Sequence, residues 1–256
     1  MDLGLQGSRA LVTGASRGLG RAIAARLVEE GASVAICARD EAAVAATAAE
    51  IGATFAAPCD VTDSDALTSF VRDAAGALGG LDLVVANAGG AGGGPRLEQT
   101  EAADWDDAYT LNVTHSTTVT RAALPHLRES DHASVVFVSS ISGFRPQPKS
   151  QYAAAKAALI HLAASLAREL GPEGVRVNAL SPGSILFPGG SWDRRSREVA
   201  DEFNAFVEAE FPFGRLGHAD EVADAAAYLL SRRASWISGT NLVVDGAQNQ
   251  PSMGGF

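Results

Sequence analysis

Tyr152 and Lys156 stand four residues apart in S-Q-Y-A-A-A-K, an alanine-rich run of high helical propensity, so both side chains project from one helix face. A free phenol titrates near pH ~10, and a neighbouring ammonium favours the phenolate. The pair is therefore expected to draw the Tyr152 proton toward the range a general acid/base needs. The chain holds three tyrosines, and its only lysines are Lys149 and Lys156, which makes a chance match to this spacing uncommon. Ser140, where V-V-F-V-S-S ends, and Asn112, in L-N-V, add a hydroxyl and an amide able to position a carbonyl or relay a proton. The plainer alternative is an amphipathic helix with its Tyr in the core and its Lys in solvent.

Positioning such a set requires a scaffold, and the chain supplies one from its start. Residues 9–13 form a short β run that breaks at T-G-A-S-R-G-L-G (13–20) and passes into a segment of helical periodicity. Gly14, Gly18 and Gly20 let backbone approach a ligand closely, and the helix N-terminus offers unpaired N–H groups to a pyrophosphate. The same stretch contains G-A-S-R-G, the G-x-S-x-G elbow of serine hydrolases, with Ser16 as nucleophile and His218 as the better-placed histidine. A non-catalytic dinucleotide-binding protein is the third reading; the intact proton-transfer set argues against it.

Apolar β runs alternate with helical segments from residue 33 to 244, which predicts a single-domain, doubly wound α/β fold: a seven-stranded parallel sheet with helices on both faces. Ligands then bind at the carboxyl ends of the strands, where every motif named here falls. Residues 184–215 break the rhythm with Phe187, Trp192, Phe211 and Phe213 among charges, and read as a substrate-loop insertion whose aromatics meet substrate.

At 256 residues, 46% hydrophobic, the chain can bury a full core, and its net charge of −10 argues against nucleic acid or an anionic membrane as partner. No run is apolar enough to span a bilayer and the start lacks signal-peptide features, so a cytoplasmic protein is expected. Cys37 and Cys59 fit no metal or disulfide spacing and the five histidines are scattered; no metal is expected.

Taken together, the motifs resemble the short-chain dehydrogenase/reductase family over nearly the whole length, in particular its 3-oxoacyl-carrier-protein-reductase-like members. They are T-G-A-S-R-G-L-G, C-D-V (59–61), A-N-A-G (86–89), Asn112, Ser140, Tyr152 with Lys156, V-N-A-L-S-P-G (177–183) and L-V-V-D-G (242–246), all in family order. The resemblance implies hydride transfer between a nicotinamide cofactor and a carbonyl or secondary alcohol. Tyr152 would be the proton donor or acceptor and Ser140 would hold the oxygen, with Ser139 competing for that role. Lys156 would bind ribose and tune Tyr152, and Asn112 would support a relay. It places the cofactor on Gly14, Ser16, Arg17, Gly18, Leu19 and Gly20 of the turn, on Asp60 and Val61 at the adenine, on Asn87, Ala88 and Gly89, on Tyr152 and Lys156, and on Pro182, Gly183 and Ile185 near the nicotinamide. Phe187 stands where many members carry a threonine, a change that loosens nicotinamide placement.

Acids are interspersed near Leu127 and Gly171, where carrier-protein reductases need basic residues, so a free small molecule is expected rather than a carrier-bound acyl chain. The family position of the ribose-binding acid falls on Ala38, followed by Arg39, while Arg17 lies in the turn. That pattern favours NADP(H), with NAD(H) possible if Asp40 turns inward. Resemblance and two helical stretches apolar beyond one face imply a homo-oligomer, a tetramer, with the C-terminal P-S-M-G-G-F reaching a neighbour.

Overall fold

The structure is a computed structural model describing residues 1–248; the proposed reach of residues 251–256 lies outside the described residues. Its spine is a seven-stranded parallel sheet in the order β3-β2-β1-β4-β5-β6-β9. The strands are β1 (Arg9–Thr13), β2 (Ser33–Ala38), β3 (Phe55–Pro58), β4 (Leu83–Ala86), β5 (Ser134–Val138), β6 (Arg176–Pro182) and β9 (Asn241–Val244). Reversal of strand order on either side of β1 opens a crevice at the carboxyl ends of β1 and β4, the position at which doubly wound sheets bind ligands.

Each face of the sheet carries its own core, because successive strand residues point to opposite sides. Val12, Ile36, Val85 and Val138 pack beneath α1 (Gly18–Glu29) and α9 (Ala219–Leu230). Leu11, Val84, Phe137 and Val177 pack beneath α3 (Ser64–Leu78), α5 (His115–Leu127) and α6 (Ser150–Leu170). Burial on both faces explains why the strands read as apolar runs rather than alternating ones. The remaining crossover, α2 (Glu41–Ile51), is started by Asp40, whose carboxylate accepts from the Ala43 N–H at 3.0 Å.

Between β4 and β5, α4 (Ala102–Tyr109) opens into a π-turn at Thr110–Thr114 before α5 begins. One expectation needs correction. Residues 184–215 are more than a loop, holding β7 (Ile185–Leu186), α7 (Ser191–Glu198) and α8 (Ala200–Glu210), with β7 pairing with β8 (Gly217–His218) in a small second sheet. Neither α7 nor α8 has a fully buried residue. Trp192 stacks on Phe206 at 4.8 Å and Phe206 meets Phe211 edge-on at 5.5 Å, so these aromatics pack on one another.

Candidate active site

The crevice is a cleft of ≈ 1180 Å³ along the carboxyl ends of β1, β2, β4 and β5. Among the sequence-proposed cofactor residues, all but Pro182, Gly183 and Ile185 line it. Those three lie at or just past the end of β6, where the Gly183 N–H donates to Val244 O at 3.0 Å and Ile185 is buried in β7.

One end of the cleft is an anion seat. Gly14 adopts a φ of +65°, and a Cβ there would come within 2.8 Å of the Ala88 backbone, so neither the turn nor the close approach tolerates a side chain. No side chain caps α1, which leaves its first N–H groups open toward the cleft. Arg17 and Arg39 are exposed on the rim, beside Ala38. Asp40 also lines the cleft, but its carboxylate is engaged as the α2 cap. Asp60 accepts from the Thr62 N–H and hydroxyl at 3.0 and 2.8 Å, and these bonds hold its carboxyl below the ordinary range. These open amides, glycine approaches and guanidiniums fit a dinucleotide with its phosphates on the turn.

The floor is a buried polar network. Asn87 and Ala88 donate their N–H groups to Thr13 Oγ1 at 3.1 Å each, and Asn87 Nδ2 donates to the Thr13 and Gly14 carbonyls at 2.9 and 3.0 Å. The Asn87 side chain therefore staples the glycine turn. Thr13 Oγ1 also lies 2.9 Å from His115 Nε2, while His115 Nδ1 lies 3.0 Å from Leu111 O. A carbonyl only accepts, so the ring proton sits on Nδ1 and Nε2 accepts from the Thr13 hydroxyl. Burial first, and then the Lys156 charge, push His115 down to about 4, which keeps this imidazole neutral. Sequence inspection passed over His115, Thr62, Leu111 and Gly90; only Thr13, first letter of the turn motif, carried a signal.

The other end gathers the proposed proton-transfer groups. Asn112 occupies the π-turn, with Nδ2 donating to the Gly90 and Ala108 carbonyls at 2.9 and 2.8 Å and Oδ1 accepting from the Gly90 N–H at 3.3 Å. Asn112 Oδ1 and Lys156 Nζ converge over Gly89: a Cβ on that residue would sit 2.7 and 3.0 Å from them. Lys156 Nζ donates to Val138 O at 2.8 Å and lies 5.6 Å from the Tyr152 ring centroid. The two serines are engaged differently. Ser139 lines the cleft but turns its hydroxyl onto Lys156 O at 2.8 Å, whereas the Ser140 hydroxyl accepts from the Ser142 N–H at 3.1 Å, donates to Ser142 Oγ at 3.2 Å and lies near enough to the Tyr152 phenol to favour its ionised form.

The protonation pattern departs from the sequence expectation. Burial raises the Tyr152 phenol above its ordinary value, and it is the nearby Ser140 hydroxyl, not Lys156, that opposes the rise. Burial alone lowers Lys156 to about 7, because its ammonium has exchanged water for one carbonyl.

The hydrolase alternative finds no support in this geometry. Among the described residues no histidine or carboxylate hydrogen-bonds the Ser16 hydroxyl, and His218 is an exposed residue at the start of α9.

Fold and cleft define a dinucleotide-binding oxidoreductase with a tyrosine, a serine and a lysine gathered where the bound cofactor would react. Comparison with known proteins sharpens that class. A family model described as enoyl-(acyl carrier protein) reductase matches residues 14–248. An isoepoxydon dehydrogenase of Penicillium expansum is 35% identical over 259 residues, covering 96% of each chain. The 7alpha-hydroxysteroid dehydrogenase of Escherichia coli is 33% identical (96% and 95% covered), and the 3-oxoacyl-[acyl-carrier-protein] reductase of the same species is 34% identical (95% and 98%). A solved 7 alpha-hydroxysteroid dehydrogenase complexed with NADH and 7-oxo glycochenodeoxycholic acid superposes with a TM-score of 0.88 at 32% identity, covering 96% of this chain and 95% of that one. The chain belongs to the short-chain dehydrogenase/reductase family. It is an NAD(P)-dependent oxidoreductase acting on a carbonyl or alcohol. Among the described residues no helix is long and apolar enough to cross a membrane.

Proposed function

We propose that this enzyme transfers a hydride between NADP(H) and a free small-molecule carbonyl or secondary alcohol, with Tyr152 as general acid/base. The observation that carries the proposal is the half-buried Tyr152 side chain, which lines the cleft with Lys156 Nζ 5.6 Å from its ring and Ser140 nearby, at the opposite end of the cleft from Arg17 and Arg39. When bound, the nicotinamide supplies the hydride. Ser140 holds the substrate oxygen and Tyr152 exchanges a proton with it. A phenol raised by burial is protonated at neutral pH and so is loaded for carbonyl reduction. Lys156 binds the cofactor ribose, and Asn112, tied to Gly90 and converging with Lys156 over Gly89, holds the relay in place.

Preference for NADP(H) rests on the rim. Ala38 offers no carboxylate, Asp40 is committed to the α2 cap, and two exposed guanidiniums stand ready for a 2′-phosphate. The solved relative was in complex with NADH, which makes the competing preference a concrete one. We take the chain to be one cytoplasmic domain that assembles into a homotetramer, with residues 184–215 over the substrate. The test is to follow absorbance at the nicotinamide band with NADPH and with NADH against a panel of ketones and aldehydes, with ester hydrolysis in parallel. Expected is turnover of a carbonyl with at least tenfold higher kcat/KM for NADPH, about the effect of one charge-assisted hydrogen bond of ~1.5–3 kcal/mol. Equal or better kcat/KM with NADH would refute the cofactor assignment.

A further inference from the structure

Cys37 and Cys59 share no sequence motif, yet strand pairing brings them together. Cys37 of β2 pairs in parallel register with Ala57, Ala38 pairs with Pro58, and the Cys59 N–H then donates to Ala38 O at 2.9 Å. Alternation along the strands directs Cys37 and Cys59 to the same face, where both enter the core with Leu67 and Phe70 of α3. Both cysteines are free, and their side chains are neighbours in that core. They differ in access. Cys37 is wholly buried, whereas Cys59 lines the cleft next to Asp60 and Val61. Neither has a part in the chemistry proposed above.

We propose that Cys37 and Cys59 form an oxidisable dithiol: hydrogen peroxide entering the cleft converts the pair to a disulfide, and the disulfide weakens dinucleotide binding. The second half rests on the reading of the Arg39–Asp60 end as the adenosine end. Cys59 is the nucleophile because it is the thiol of the pair that lines the cleft; the neighbouring Cys37 also draws it below the ordinary thiol value against burial and the nearby Asp60 and Asp63. The neighbouring Cys59 and burial push Cys37 up, so its proton stays there. The Cys59 thiolate attacks one peroxide oxygen; the O–O bond breaks, and the departing hydroxide takes the proton released by the thiol and leaves as water. Cys37 then attacks the sulfenic sulfur; the S–O bond breaks, and the Cys37 proton leaves with the oxygen as a second water. Two thiols lose two electrons in total, and one peroxide becomes two waters. Closing the bridge draws Cys59 toward β2 and displaces the segment that follows it, where Asp60, Val61 and Thr62 form the cleft wall.

The experiment treats the folded wild-type chain with hydrogen peroxide, alkylates it, weighs it intact and maps its peptides, then measures NADPH affinity by fluorescence titration. Expected are a mass lower by two hydrogens, a cross-linked Cys37–Cys59 peptide pair, and NADPH binding weakened about tenfold and restored by dithiothreitol. Saturating NADPH present during oxidation slows bridge formation, since cofactor and peroxide compete for the same wall. The Cys37→Ser chain instead stops at a sulfenic acid that dimedone captures on Cys59; if that chain does not fold, Cys59→Ser, which forms no bridge, serves as the control. Full retention of both thiols after peroxide overturns the proposal, as does a bridge that leaves NADPH affinity unchanged. A chain that forms the bridge but binds neither nicotinamide cofactor overturns the cofactor reading while leaving the dithiol chemistry demonstrated, because the mass measurement does not depend on binding.

Discussion

The floor of the cleft and the segment over it are built on opposite principles. The floor is strand ends and turns whose polar atoms are buried and paired: Thr13 holds two backbone N–H groups and His115, Asn87 staples the turn, and Asn112 is tied at three points. Leaving any of these groups unpaired in a buried site costs about 1–3 kcal/mol, so the arrangement is over-determined. The segment 184–215 has two helices with no fully buried residue, held by their own aromatic stack and by contacts at its two ends. Ser184 is gripped by Gln248, and Glu210 is paired with Arg145. On the proposed reading, reaction type belongs to the tightly paired floor and substrate choice to the loosely attached segment. The same fold carries relatives named as unlike as a 7alpha-hydroxysteroid dehydrogenase and a 3-oxoacyl-[acyl-carrier-protein] reductase.

The largest expected effect tests the rigid part. Tyr152→Phe keeps the ring packing and removes the transferable proton, so kcat should fall by roughly 10²–10⁴ with cofactor affinity within twofold. Lys156→Ala should damage both, because Lys156 bridges the tyrosine side of the site to the Gly89 side. Steady-state kinetics with cofactor titration reads both quantities. Retention of more than a few per cent of kcat in Tyr152→Phe would remove proton transfer from this residue and, with it, the assignment of chemistry to the floor.

What could be read from the sequence follows the same division. The Tyr152–Lys156 spacing and the 13–20 turn are local, and local spacing survives into structure; the sheet followed from apolar runs that both cores require. The π-turn that aims Asn112 has no residue signature, so the geometry that seats this side chain was not legible. His115 with Thr13, Cys37 with Cys59, and Arg145 with Glu210 are partners only because topology joins distant segments. In S-W-D-R-R-S-R-E, charge hides the helical period, so α7 passed for loop. The Tyr152 pKa was misjudged for a related reason: spacing shows a charge nearby but not the burial that outweighs it.

A second effect lies on the rim. Arg39→Ala should raise KM for NADPH about tenfold with little change for NADH, and Ala38→Asp should reverse the preference by supplying a ribose-binding carboxylate that repels a 2′-phosphate. Unchanged NADPH kinetics in Arg39→Ala would move attention to Arg17, the other exposed guanidinium of the cleft.

A third concerns how the floor is anchored away from chemistry. Asp82, just before β4, accepts from Arg9 N and Nε at 2.8 Å and Nη2 at 2.6 Å. Burial raises its pKa, but the Arg9 hydrogen bonds outweigh this and bring it to about 2 from an ordinary 3.8. A depressed carboxylate contributes stability above its unfolded pKa and loses it as pH falls through the folded one. Asp82→Asn should therefore cost about 1–3 kcal/mol at neutral pH, with the difference from wild type shrinking between pH 4 and pH 2. Denaturant titration across that window is the check; a pH-independent difference would mean that packing, not charge, holds this corner.

The smallest effect probes whether the overlying segment is separable from the floor. Arg145 follows the turn after β5 and donates to Glu210 Oε2 at 2.5 Å and to Gln248 O at 2.7 Å, so one guanidinium joins the loop after β5, the end of α8 and the turn that grips Ser184. Both charges are about a third exposed, which limits the pair to roughly 0.2–1 kcal/mol. Arg145→Ala should then loosen α8 and raise the substrate KM about twofold to fivefold, with kcat nearly unchanged and cofactor affinity within twofold, because the Thr13–Asn87 network has no contact with Arg145. Glu210→Gln should do the same to a lesser degree, since its amide still accepts from Arg145. The comparison fails in a specific way if cofactor affinity falls in step with substrate KM. Phe187, whose ring lies against Gly18 of the glycine turn, would then be transmitting the position of the segment to the pyrophosphate seat, and floor and cover would be one mechanical unit.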